Sequence, residues 1–148
     1  MADTFTLEVL TPTRQVVNEA VSEAQIPLRG GYNGVLPGHT PLLAELGIGE
    51  LSYRAGNRVV SCTAMGGFVE VLGDRVLVLA DTAERAEEID VARATAARDR
   101  ALKRLATPND PNVDWKRVEE SLERATARLQ VAAKAGASSV TSSAPASH

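Results

Sequence analysis

Gly34-Val35-Leu36-Pro37-Gly38-His39-Thr40-Pro41-Leu42-Leu43 gathers two prolines, two glycines and an isolated histidine into ten residues. Each proline lacks the amide donor that a sheet ladder needs and fixes φ, so the stretch cannot lie inside a central strand. It reads as a rigid connection between strands. Toward the N-terminus, Phe5-Thr6-Leu7-Glu8-Val9 alternates apolar and polar residues, the mark of a half-buried strand that Pro12 ends. Val16-Val17 predicts a short second strand. Ala24, Ile26 and Leu28 predict a third, which Pro27 assigns to a sheet edge. Gly30-Gly31-Tyr32-Asn33-Gly34 reads as a turn.

Toward the C-terminus the apolar run Leu42 to Leu46 pins the connection to a core. Glu50 to Arg54, Arg58 to Thr63, Phe68 to Leu72 and Arg75 to Ala80 then predict four more strands. Ala55-Gly56-Asn57, Gly66-Gly67 and Gly73-Asp74 supply the turns between them. Short strands at this spacing predict an all-β sandwich or flattened barrel over residues 1–86.

Past Asp81 the period changes. Asp81-Thr82-Ala83-Glu84 has the spacing of a capping box. Ala94, Ala97, Ala101 and Leu105 recur at helical spacing, and Thr107-Pro108-Asn109-Asp110-Pro111 breaks the helix. Asp110 before Pro111 predicts the cap of a second helix. Trp115, Val118, Leu122, Ala125, Leu129 and Ala132 form its apolar stripe. Residues 87–135 are therefore expected to form an antiparallel two-helix hairpin, closed by an alanine-rich contact that buries little area. Residues 136–148, rich in Gly, Ser, Ala and Thr, are expected to be a disordered tail.

Composition narrows the function classes. The chain of 148 residues is 44% hydrophobic but only 3% aromatic, so its core is aliphatic. A net charge of -3 argues against nucleic-acid binding. No apolar run approaches the roughly 20 residues of a membrane span, and no signal pattern opens the chain, so no direct membrane insertion is expected. The single cysteine, Cys62, cannot form an intramolecular disulfide, which fits a cytoplasmic setting.

Catalytic chemistry finds no set of residues. A general base needs a partner, and His39 has no second histidine in the folded part, so it reads as structural or interfacial. Gly30-Gly31 with Gly34 is not followed by the Lys-Ser/Thr of a phosphate loop. No metal-ligand motif occurs. Arg117, Arg124 and Arg128 stand off the apolar stripe of the second helix, where they could pair with neighbours such as Glu120 or meet an acidic partner.

Three segments in order carry a resemblance. Gly34 to Leu43, Gly66-Gly67-Phe68-Val69-Glu70-Val71 and Val78 to Glu84 resemble the hallmark segments of the epsilon subunit of bacterial F-type ATP synthases. The resemblance implies a noncatalytic central-stalk rotor subunit of a proton-translocating complex, peripheral at the cytoplasmic face of the plasma membrane. It implies partners in the gamma subunit and the c-subunit ring, met through Arg29, Gly31, Tyr32, Asn33, His39 and Leu42. It implies a hairpin that extends toward the alpha and beta subunits and inhibits ATP hydrolysis, with Arg117, Arg124 and Arg128 facing beta. Ile89-Asp90-Val91-Ala92-Arg93-Ala94 also matches a pattern at which some members bind ATP as a regulatory ligand. Glu84, Ile89, Asp90, Arg93, Ala94, Arg124 and Arg128 would form that site, with no cofactor required for folding or docking. A stand-alone ATP sensor is the second reading. A hydrolase built on His39 is a third, for which no turnover is expected.

Overall fold

The computed structural model describes residues 3–107 and 110–143, with side chains described up to residue 135. Eight strands come first: β1 Phe5–Leu10, β2 Gln15–Val21, β3 Glu23–Leu28, β4 Gly31–Val35, β5 Leu42–Glu45, β6 Ile48–Ala55, β7 Arg58–Leu72 and β8 Arg75–Arg85. A 3-10 turn, Ala86–Glu88, leads to helices α1 Val91–Leu105 and α2 Trp115–Ser143.

The strands form one hydrogen-bonded network, β2-β1-β8-β7-β6-β3-β4, with β5 also on β7. β1 and β8 run parallel, while every other pair is antiparallel. The network folds on itself at Gly66-Gly67. β7 pairs with β6 up to Met65 and with β5 from Phe68 onward, in one unbroken register. Its two halves therefore belong to two layers. The first holds β2, β1, the start of β8, the end of β7 and β5. The second holds the end of β8, the start of β7, β6, β3 and β4. Alternate residues of both layers, among them Leu7, Val9, Ile26, Leu51, Val69, Val71, Val76 and Val78, fill the aliphatic core between them. β2 and β4 end the network without pairing to each other, so the sandwich is open and the flattened barrel is set aside.

Several expectations need correction. Gly66-Gly67 does not turn the chain: both glycines have positive φ and lie within β7, at its bend. Gly30 to Gly34 is not a turn either, since Gly31–Val35 is β4 and only Arg29-Gly30 make the hairpin tip. Pro27 does not mark an edge strand, because β3 is flanked by β4 and β6. The β6 ladder ends at Gln25, two residues before the proline, so the missing N–H interrupts no bond there. Asp81 to Glu84 caps nothing, because β7 holds these residues in β8. Asp90 caps α1 instead, its carboxylate accepting from Arg93 N at 3.0 Å. Asp114, not Asp110, caps α2 through Arg117 N at 3.2 Å. The backbone of α2 continues to Ser143, beyond the end expected at residue 135. No proline intervenes before Pro145, and one glycine costs a propagating helix only about 1 kcal/mol. Of the expected disordered tail, residues 144–148 lie outside the described residues.

α1 and α2 pack antiparallel, with Ala94 and Ala101 buried on α1 and Val118 and Ala125 on α2. α2 has a second buried side, nearly half a turn round from the first, carrying Ala127 and Val131. That side lies on β6 and β7, over the outer face of the second layer. Met65, buried but outside the sandwich core, stands on the same face.

Candidate functional site

The residues expected to contact gamma and the c ring gather along one edge. β4 ends the second layer and β5 ends the first, and Leu36–Pro41 crosses between them. Arg29 sits at the β3–β4 tip, its Nη1 donating to Glu45 Oε2 at 2.8 Å, while Arg29 N donates to Glu45 O at 3.1 Å. Gly31, Tyr32 and Asn33 lie on β4. The Tyr32 ring is 59% exposed although its hydroxyl accepts from Glu50 N at 3.2 Å, so the aromatic face is presented in a fixed position. His39 N closes a turn onto Leu36 O at 3.1 Å, and its Nδ1 lies 2.6 Å from Thr40 O. As the donor to that carbonyl, the ring is held locally. Leu42 is half-buried at the start of β5, and its neighbour Leu43 is 72% exposed. The edge combines fixed backbone with exposed Tyr32, Leu36 and Leu43.

A feature that sequence reasoning missed adjoins this edge. On the outer face of the first layer, Leu10 is opposite Leu79, and Leu79 opposite Phe68. Leu43 is opposite Glu70, which is opposite Leu77. Phe68, Leu72 and Leu79 are all exposed, so an apolar band crosses a face that is left uncovered among the described residues. The signal was present in the sequence. Val76-Leu77-Val78-Leu79-Ala80 is apolar at every position, the pattern of a strand covered on both faces rather than one.

At the other layer, the residues expected to bind ATP divide. Glu84 and Arg128 meet directly, Nε to Oε1 at 2.8 Å, although 44 positions separate them in sequence. Arg124, one turn earlier on α2, donates from Nη2 to Ser121 Oγ at 3.2 Å. Ile89 and Ala94 are buried at the base of the hairpin. Asp90 and Arg93 are exposed there, with Asp90 Oδ1 engaged as the α1 cap. Only the Glu84–Arg128 pair among these seven side chains is joined by a direct bond. Arg117 lies elsewhere, beside Arg100, Lys103 and Arg104 on an open cleft of about 910 Å³ near the hairpin tip. That cleft contains none of the seven residues matched to ATP binding.

The linker between the two units is clasped to the sandwich. Arg14, after β1, donates from Nη2 to Glu88 Oε1 at 2.9 Å and to Ala83 O at 3.1 Å. Glu88 Oε1 also accepts from Arg85 N at 2.8 Å, and Arg85 donates from Nη2 to Val16 O at 2.8 Å. The Arg14 hydrogen bond, then that from Arg85 N, holds the Glu88 carboxyl below the usual range. The chain is thus tied to the sandwich as far as Glu88, and Ile89 is buried behind it. Cys62 is buried in the core, where burial pushes its thiol up to about 12, the opposite of an activated nucleophile. Among the described residues no group of three or more His, Cys, Asp and Glu side chains is placed to hold a metal. No helix among them is long and apolar enough to cross a membrane.

Known proteins share both units. The family model for the ATP synthase delta/epsilon chain beta-sandwich domain matches residues 4–86, and that for its long alpha-helix domain matches residues 87–133. The ATP synthase epsilon chain of Solibacter usitatus is 51% identical over 134 residues, covering 90% of this chain and 99% of its own. That of Syntrophobacter fumaroxidans is 47% identical over 134 residues, with the same coverage of 90% and 99%. Among solved structures, a chain of the Euglena gracilis mitochondrial ATP synthase (OSCP/F1/c-ring, rotational state 1) matches with a TM-score of 0.75 at 24% identity. The match covers 89% of this chain and 82% of that one, and it speaks to the fold.

Proposed function

The chain belongs to the ATP synthase delta/epsilon chain family, and from that membership we propose that it is a noncatalytic central-stalk subunit of a bacterial F-type ATP synthase. The observation that carries the reading is the match of both domain types, in order, onto the two structural units. The sandwich docks on the gamma subunit and the c ring through the edge of Arg29 to Asn33, His39 and Leu42, with the apolar band of Phe68 and Leu79 beside it. So joined, it helps couple the catalytic head to the ring during proton-driven ATP synthesis. A rigid, proline-braced edge suits a part that turns with the stalk, because a flexible contact would dissipate torque.

The hairpin supplies regulation. Two ion pairs, Arg128–Glu84 and Lys134–Glu50, join it to the sandwich, which suits an element that leaves and returns. Extended toward alpha and beta, it inhibits ATP hydrolysis, with Arg117, Arg124 and Arg128 meeting acidic surface of beta. ATP as a regulatory ligand is the finer reading, favoured by the Glu84–Arg128 pair at the base of the hairpin.

Reconstitution tests the whole. The sandwich truncated after Ile89 should still bind gamma and the c ring at the cytoplasmic face of the membrane, and hydrolysis should rise relative to the full chain. Loss of gamma binding by the intact protein would overturn the stalk role, and equal hydrolysis would overturn the inhibitory one. For ATP, calorimetric titration of the isolated chain should give millimolar or tighter binding that Arg128→Ala weakens. Binding unchanged in that variant would remove the nucleotide site.

A further inference from the structure

The turn end of the hairpin carries a charge pattern that its helices do not explain. Arg100, Lys103 and Arg104 on α1 and Arg117 on α2 line one open cleft of about 910 Å³, together with Asp110 and Asp114. All four cations are exposed. Among the described residues, none of their side chains has a hydrogen bond or an ion pair. Lys103 and Arg104 have a local reason to be there, since they stand in the last turn of α1, where free carbonyls favour positive charge. The other two have none. Arg100 is one turn before Arg104 on the same face, a like-charge pair that weakens a helix. Arg117 stands in the first turn of α2, which holds no acidic residue and whose free amides favour negative charge.

The two carboxylates are already engaged. Asp110 Oδ1 accepts from Asn112 N at 2.9 Å, and Asp114 Oδ1 accepts from Arg117 N at 3.2 Å. Each serves the backbone of the turn or the start of α2, and four unpaired cations remain around the hollow. Both helices build its walls, with the buried Ala101 and Val118 among its lining. It therefore has the concave form and the size of a small-ligand site, not the flatness of a protein contact.

We propose that this cleft binds a short chain of phosphates, of the tripolyphosphate class, held between the two helices. Guanidinium forks match phosphate oxygens pairwise, and a linear anion of several charges answers cations spread over both walls. A single phosphate reaches fewer of them. The site is separate from the residues matched to ATP binding, none of which lines the cleft. Bound there, the anion offsets the Arg100–Arg104 repulsion and the misplaced charge of Arg117, and ties α1 to α2 at the turn end. None of this depends on whether the hairpin restrains hydrolysis.

Titration of the isotopically labelled full chain with sodium tripolyphosphate, followed by its amide resonances, tests the site. Amides from Arg100 to Arg104 and from Asp114 to Val118 should move together, with half-saturation at about 0.1 mM at low ionic strength. Arg104→Gln with Arg117→Gln should weaken the affinity about tenfold or more, and so should Arg100→Gln with Lys103→Gln. The two double variants share no position, so one carries the test if the other unfolds the hairpin. Undiminished affinity in a folded double variant overturns the proposal, as do amides that stay in place up to about 10 mM ligand. Movement confined to Glu84 and Arg124 to Arg128 puts the anion elsewhere and overturns it too. Inorganic orthophosphate that binds as tightly as tripolyphosphate overturns the assignment to a phosphate chain.

Discussion

Gly67 on β7 passes so close to β8 that a β-carbon on it would stand 1.9 Å from the Leu79 carbonyl oxygen. Its φ of +113 is a conformation that side chains rarely adopt, and Gly66 beside it has a φ of +67. The bend that folds one strand network into two layers therefore depends on a glycine for both backbone angle and space. Gly67→Ala should destabilise the sandwich by about 4 kcal/mol or more, in the range that only severe core or backbone disruption reaches. Chemical denaturation of the purified variant measures it. A loss under about 1 kcal/mol would mean that the strands bend without this close approach.

The Arg14–Glu88 contact sets a pH dependence on the domain linker. Glu88 titrates below its ordinary value of 4.5 in the folded chain, so the contact stabilises the linker fully above that value. The contribution is lost as pH falls below 4.5 through the folded value, because the carboxyl then gains a proton and releases Arg14. Amide exchange at Ala86 to Ile89 should rise as pH drops from about 6 to about 3, once corrected for intrinsic exchange rates. Arg14→Ala should show the faster exchange already at neutral pH and a flatter profile. A wild-type profile in that variant would deny the clasp.

Cys62 offers a probe of sandwich opening. Its thiol is buried and raised to about 12, so at neutral pH almost none of it is thiolate in the folded state. Labelling by a disulfide reagent should be about a thousandfold slower than in the unfolded chain and should accelerate with denaturant. Rapid labelling of a folded sample would place the thiol outside the core.

The apolar band on the first layer should matter for assembly more than for folding. Phe68 is 53% exposed and Leu79 is 48% exposed, so Phe68→Asp removes little core packing. We expect a melting temperature within about 3 °C of wild type, with affinity for gamma reduced about tenfold or more. Undiminished gamma binding would assign the band to another neighbour in the complex.

Local periodicity was enough for much of the architecture. The alternation in Phe5 to Val9 gives β1, the apolar positions of Glu50 to Arg54 give β6, and the three- and four-residue steps after Trp115 give α2, because each pattern reports one face of its own segment. The same reasoning separates the β unit from the hairpin, whereas Arg29 to Asn33, His39 and Leu42 were singled out by the family resemblance and not by any period. It fails where two local structures fit the same residues. Gly66-Gly67 suits a turn or a bend equally well, and only partners on both sides of β7 make it a bend. Asp81 to Glu84 has the spacing of a helix cap, yet β7 supplies enough pairing to hold it in a strand. Pro27 marks an edge by rule, yet β6 stops pairing before reaching it.

By itself, then, the sequence determined that a run of strands precedes two helices, because periods of two and 3.6 residues are read within single segments, and its composition determined an aliphatic core; it did not show β4 or the continuity of β7. Tertiary structure alone decided which charges meet. Glu84 lies 44 positions from Arg128 and Glu50 lies 84 from Lys134, so no local pattern couples them. They meet because β6, β7 and β8 stand side by side and α2 packs on β6 and β7.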